Sequence, residues 1–123
     1  MSVPSDLVEH LRNHPGLSAL VGDRIYPRRM PDDATLPCLV YNRISTVPDI
    51  GLASVDLSPA RFQFDAWSDR SQVATDVGDQ LEDALNLVAI PTSIDRVLPD
   101  GRRDRYDNQA DLHGETLDFL VFA

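Results

Sequence analysis

The sequence predicts an α+β fold: an antiparallel, or mixed, β-sheet with an N-terminal helix and one long amphipathic helix packed on one face. Three observations carry this. Residues 60–67, "ARFQFDAW", alternate strictly, with Phe62, Phe64 and Ala66 facing one way and Arg61, Gln63 and Asp65 the other, the pattern of a half-buried antiparallel strand. Residues 71–88, "SQVATDVGDQLEDALNLV", place Val73, Val77, Leu81, Ala84, Leu85 and Val88 on one stripe at the helical period. Strand-like segments are grouped rather than interleaved with helices, which favours a sheet with helices on one face. At 123 residues the whole chain, 1–123, fits one domain with a sizeable core.

The elements follow in order. Ser5 can cap a first helix in which Leu7, Val8 and Leu11 share a face, and His14-Pro15-Gly16 ends it. Leu17 to Val21 form a short second helical turn, stopped by Gly22. "RIY" (24–26) starts a strand, and Pro27, Pro31 and Pro37 confine residues 27–37 to an edge or loop. "CLVYNRIS" (38–45) is a strand rich in β-formers. Residues 46–57, "TVPDIGLASVDL", show no period and read as a long exposed loop. After the long helix come a strand at 93–98, a turn at Pro99-Asp100-Gly101, a strand at 103–110 and a last strand at 115–123. Asp-Gly between strand-like runs is a hairpin signal. The last strand is apolar on both faces near its end (Phe119, Leu120, Val121, Phe122), so it is central in its sheet or covered by a neighbour.

Composition narrows the function classes. Twenty acids against eleven bases leave a net charge of −9, which argues against a dedicated nucleic-acid-binding domain. All the bases are Arg, a usage that a GC-rich genome also produces. No apolar run approaches the roughly 20 residues that span a bilayer, and the N-terminus lacks a secretory pattern. The single cysteine, Cys38, excludes an internal disulfide and reads as a buried, inert thiol; Trp67 reads as a core or an interface aromatic, core being the default.

Searching for chemistry yields no catalytic constellation. Phosphate-binding glycine loops and nucleophile elbows are missing. His10 and His14 stand four apart but lack the glutamate of zinc proteases, and a helix-end pair is the expected reading. Asp104, Asp107, Asn108 and Asp111 crowd together without EF-hand spacing, as in a solvated strand end. Two charged features remain. Arg24, Arg28 and Arg29 are concentrated in "GDRIYPRRMPDD", and Asp76, Asp79 and Asp83 share one face of the long helix, with Glu82 nearby. The arginines fit polyanion binding, a subunit interface or a solvated turn. Like charges at helical spacing are mildly unfavourable, so the aspartates fit pairing within the chain, solvation, or pairing between copies.

Taken together, "LSALVGDRIYP", "LPCLVYNRIS", "ARFQFDAWS", the amphipathic helix and the closing "LDFLVF" resemble the small tail completion or tail terminator proteins of long-tailed bacteriophages, over roughly residues 5–122 and in the expected order. Cys38 departs from that pattern, where an aromatic is more usual, which removes one packing group. The resemblance implies a structural virion protein without enzymatic activity or cofactor. Its expected form is a homo-oligomeric, hexameric ring at the head-tail junction, assembled in the host cytoplasm. Such a ring caps the tail tube, contacts the tube protein and the head or neck connector proteins, and lets DNA pass without specific binding; no membrane is involved.

Geometry allows this. A compact chain of this length has a radius of gyration of about 14 Å, so six touching copies leave a hole about 35 Å wide. Six copies at −9 each carry a formal −54, and an acidic lumen would not hold phosphates. On this reading Arg24, Arg28 and Arg29 meet Asp76, Asp79 and Asp83 of a neighbour. The 46–57 loop, through Pro48, Asp49, Ile50, Leu52 and Val55, reaches a second partner. The alternatives are a head-completion or neck connector protein that binds the portal, a small soluble enzyme with a scattered Asp/His/Arg site, and an acidic interaction protein of the host.

Overall fold

A computed structural model describes residues 3–46, 59–90 and 94–122. Their order is α1 (Val3–Arg12), α2 (Pro15–Val21), β1 (Ile25–Pro27), β2 (Cys38–Thr46), β3 (Ala60–Ser68), α3 (Ser71–Leu85), β4 (Arg96–Asp107) and β5 (Leu112–Phe122). The strands form one sheet in the order β1-β2-β3-β5-β4. β1 runs parallel to β2 and every other pairing is antiparallel, so the sheet is mixed.

All three helices lie on one face. α3 packs on β3 and β5, and α1 and α2 lean against α3. The expected stripes supply the core: Leu7 and Leu11 from α1, Leu17 and Val21 from α2, and Val77, Leu81 and Leu85 from α3. From the sheet they meet Leu39, Phe62, Phe64, Leu117 and Phe119, with the rings of Phe64 and Phe119 edge to face at 5.8 Å. Burying such a side chain is worth about 1.5–3 kcal/mol. β5 is an interior strand, flanked by β3 and β4, as its two apolar faces demand.

Four boundaries differ from the sequence reading. α1 begins at Val3, so Ser5 is inside its first turns rather than capping it. α3 stops at Leu85, and Val88 packs on the core beyond the helix. The expected turn at Pro99-Asp100-Gly101 is not a turn. β4 runs straight through it as a twelve-residue strand, and the extra residue is absorbed as a bulge between Pro99 and Gly101. Gly101 takes φ 139°, outside the range other residues favour, and Pro99 is tolerated because β4 is an edge strand. The reversal comes instead at residues 108–111, where the Asp107 carboxylate accepts hydrogen bonds from the backbone N–H groups of Gln109 and Ala110. The three expected C-terminal strands are thus two, the first pair merged into β4 and joined to β5 as one long hairpin.

The other face of the sheet carries no helix. It is partly covered by residues 28–37, which connect β1 to its parallel neighbour β2. Cys38, Val40 and Asp65 are buried there, and the Met30 Sδ lies 3.5 Å from the Cys38 Sγ. Burial pushes the Cys38 thiol up to about 11, the nearby charge of Arg24 offsetting only part of that.

Candidate functional site

The acidic face of α3 is built into its own protomer. Arg102, projecting from β4 towards the helices, donates to Glu115 at 2.7 Å, Glu82 at 2.7 Å, Asp79 at 2.9 Å and the Thr75 carbonyl at 3.2 Å. Burial works against its charge, but the three carboxylates overcome this and raise its pKa above the usual guanidinium value. Gly78 makes the approach feasible: a Cβ there would meet the Arg102 Nη2 at 2.8 Å. Glu115, almost fully buried, has its pKa raised by burial first and by a hydrogen bond with Asp104 second, against the pull of Arg102. Of the sequence-selected aspartates, Asp79 is therefore paired inside the chain. Asp83 lies 3.3 Å from the His14 Nε2, and Asp76 accepts from the Gln72 amide.

The arginine segment divides. Arg24 is spent within the fold, donating to the carbonyls of Leu20 and Pro37 at 3.0 Å each. Arg28 and Arg29 are exposed, and among the described residues their guanidinium groups have no hydrogen-bond or ion-pair partner. Arg28 adopts φ 72°, a left-handed conformation uncommon for a large side chain. Its backbone N–H is held by the Tyr41 carbonyl at 2.9 Å.

Beyond that turn, Arg28, Arg29 and Met30 border an open groove of about 330 Å³ on the helix-free face. Val40, Trp67 and Leu112 also line it, and Arg105 stands opposite. Trp67 is thus not a core residue. Its half-buried ring lies under the Arg105 guanidinium, 5.5 Å from the centroid, over the Cβ-free Gly114. At the groove's base the buried Asp65 accepts from the Thr116 hydroxyl and, at 3.4 Å, from Arg105. The arginine cluster marked one edge of this groove in the sequence, but its remaining lining was hidden because β2, β3, β4 and β5 each contribute to it across the sheet.

The remaining sequence features take local roles. The His10 Nε2 lies 2.9 Å from the Ala84 carbonyl, tying α1 to α3. Asp111 accepts from the Tyr106 hydroxyl, raising the Tyr106 pKa, chiefly through that hydrogen bond. Among the described residues no three His, Cys, Asp or Glu side chains gather in a way that could hold a metal ion, and no helix is long and apolar enough to cross a membrane. Pro48, Asp49, Ile50, Leu52 and Val55 lie outside the described residues.

Comparison with known proteins bears on identity. A search of curated proteins found no match. Among solved structures, the chain is similar to one from a virion of a native gene transfer agent particle, with a TM-score of 0.78 and 17% identity. That match covers 98% of this chain and 93% of the other, so the fold is shared from end to end. The family model described as "Tail completion protein gp17" matches residues 5–122. The chain therefore belongs to the tail completion protein gp17 family, structural proteins of bacteriophage tails.

Proposed function

We propose that this protein closes the head-proximal end of the phage tail: a homo-hexameric ring that caps the tail tube, stops its growth and presents the surface that joins the head. The family match across residues 5–122 carries the reading. The protomer's chemistry agrees with it. The polar clusters are spent on holding the fold, as Arg102 is, and the unpaired arginines lie on an open surface suited to a protein contact. An acidic ring of −9 per copy would let DNA slide through unbound.

Within the ring, Arg28 and Arg29 face acidic groups of the adjacent copy, with Asp83, exposed and not bound to Arg102, best placed on the α3 face to answer them and the half-buried Asp76 beside it. The segment carrying Pro48, Asp49, Ile50, Leu52 and Val55 contacts the tube or the neck. The test is tube assembly: purified tube protein is polymerised with and without this chain, and lengths are measured by electron microscopy. Arrested growth and one capped end per tube are expected. Tubes of unchanged length, with the protein instead retained on portals in a pull-down, would assign it to the neck connector.

A further inference from the structure

We infer that the groove on the helix-free face receives the acidic-flanked Leu87 of a neighbouring copy, making the ring's contact a head-to-tail one between opposite faces. The inference deepens the ring reading and rests on it for closure.

Leu87 is one of only three large apolar side chains more than a third exposed among the described residues, at 65%. It follows the α3 C-cap, Asn86, at φ 56°. This is the left-handed position after a helix, where glycine is usual because a Cβ is strained there. A strained, exposed leucine contributes nothing to its own core, and strain that persists often marks a function. Asp83 stands one helical turn before it, with its side chain 72% exposed. This end of α3, the knob, therefore carries an exposed apolar tip and, four residues earlier, an exposed carboxylate that lies 3.3 Å from the His14 Nε2.

The groove is its complement. Met30, Val40, Trp67 and Leu112 supply its apolar lining, and its charged lining is Arg28, Arg29 and Arg105 against Asp65 and Asp107; Asp65 already takes up Arg105, which leaves Arg28 and Arg29 in excess over Asp107. At about 330 Å³ it falls within the size range of ligand clefts, so a leucyl side chain and a carboxylate fit together. Arg28 and Arg29 gain the partners they lack. The knob ends a helix in the helical layer and the groove lies on the opposite face of the sheet, so one molecule cannot satisfy both with the same neighbour by two-fold symmetry. A contact of this kind is heterologous, and it closes into a ring when the rotation between neighbours divides a full turn, which the ring reading supplies.

Three variants test it by sedimentation velocity over a concentration series. Wild-type protein forms hexamers. Leu87→Asp, and the double variant Arg28→Glu/Arg29→Glu, each weaken assembly by about tenfold or more. Leu87→Gly does the same while its Tm stays equal to or above that of wild type, which separates a lost contact from a damaged fold. Mixing the Leu87→Asp and double-arginine variants restores one good contact per pair, so the mixture forms dimers and stops there. Wild-type protein that stays monomeric, variants that still form hexamers, or a mixture without dimers would each overturn the inference. Tube capping keeps the two readings apart: hexamers indifferent to these variants remove the knob alone, whereas sensitive hexamers that fail to arrest tubes remove the cap and leave the knob.

Discussion

Replacing Arg102 by alanine tests whether the acidic face of α3 is held from inside the protomer. The guanidinium bridges β4 to α3 and satisfies Glu115, whose side chain is only 5% exposed. Removing it leaves that carboxylate buried beside Asp104. Breaking a buried pair from one side costs about 3–5 kcal/mol. The arms to Asp79 and Glu82 are 57% and 45% exposed on the acid side, so solvent screening limits each to about 1 kcal/mol or less. Glu115 escapes part of the penalty by taking up a proton, which places the loss near the low end, at about 3 kcal/mol. A melting entropy of about 2.1 cal/mol/K per residue gives 123 residues about 0.26 kcal/mol/K, so the variant should melt about 12 °C lower at neutral pH. Asp79→Asn, which removes one exposed arm, should cost at most about 4 °C.

The pH dependence has a definite sign. Glu115 already has a folded pKa above its ordinary 4.5, because of burial and then Asp104. A carboxyl raised in the folded state holds a proton there that the unfolded chain has released, so its titration lowers stability as pH climbs from 4.5 through the folded value. Without Arg102 that folded value rises further. The deficit of Arg102→Ala should therefore shrink as pH falls towards the ordinary 4.5 and grow as pH climbs through the raised folded value. Thermal melts by circular dichroism across that range read both effects. A loss no larger than that of Asp79→Asn, or a deficit independent of pH, would refute the reasoning.

Other expectations are simpler. With its thiol pushed up to about 11 and no exposure, Cys38 should resist alkylation at pH 8 in the native protein and react rapidly in urea, which mass spectrometry distinguishes. Gly114→Ala puts a Cβ 2.8 Å from the Trp67 ring and 3.3 Å from the Ala66 carbonyl, so it should cost about 1–3 kcal/mol and shift the tryptophan emission as the ring is displaced. Phe64→Ala, at the centre of the aromatic core, should cost about 3–5 kcal/mol in urea titration.

Much of this fold can be read from periodicity, because the periodic elements face one common core. The alternation of Phe62, Phe64 and Ala66 and the stripe of α3 are consequences of burial on a single side: Val77, Leu81, Ala84 and Leu85 are buried as selected, whereas Val73 is only half-buried and Ala74 and Gly78 are buried in addition. The hairpin was misplaced because Asp100-Gly101 has the local chemistry of a turn. Pairing with the apolar β5 stabilises an extended β4 instead, and Gly101 accommodates the bulge. Asp65 looked like a solvent-facing residue of an alternating strand; it is buried instead at the groove's base, where Thr116 and Arg105 donate to it.

Charge was the least legible layer. The three aspartates of α3 were visible as a face, but the cation that takes up Asp79, with Glu82 beside it, is Arg102, 23 and 20 residues away in sequence. Nothing in "DGRRDR" distinguishes Arg102 from Arg103, since only strand register turns one towards the helices. Leu87 was equally hidden. An exposed leucine becomes informative only when its left-handed backbone is known.

Copy number in purified tails tests the central claim most directly. Quantitative mass spectrometry with isotope-labelled peptides, normalised to a known tail component, should find six copies of this chain per tail, whatever the tail's length. A number that scales with tail length, or its absence from tails that are complete, would contradict a single terminal ring.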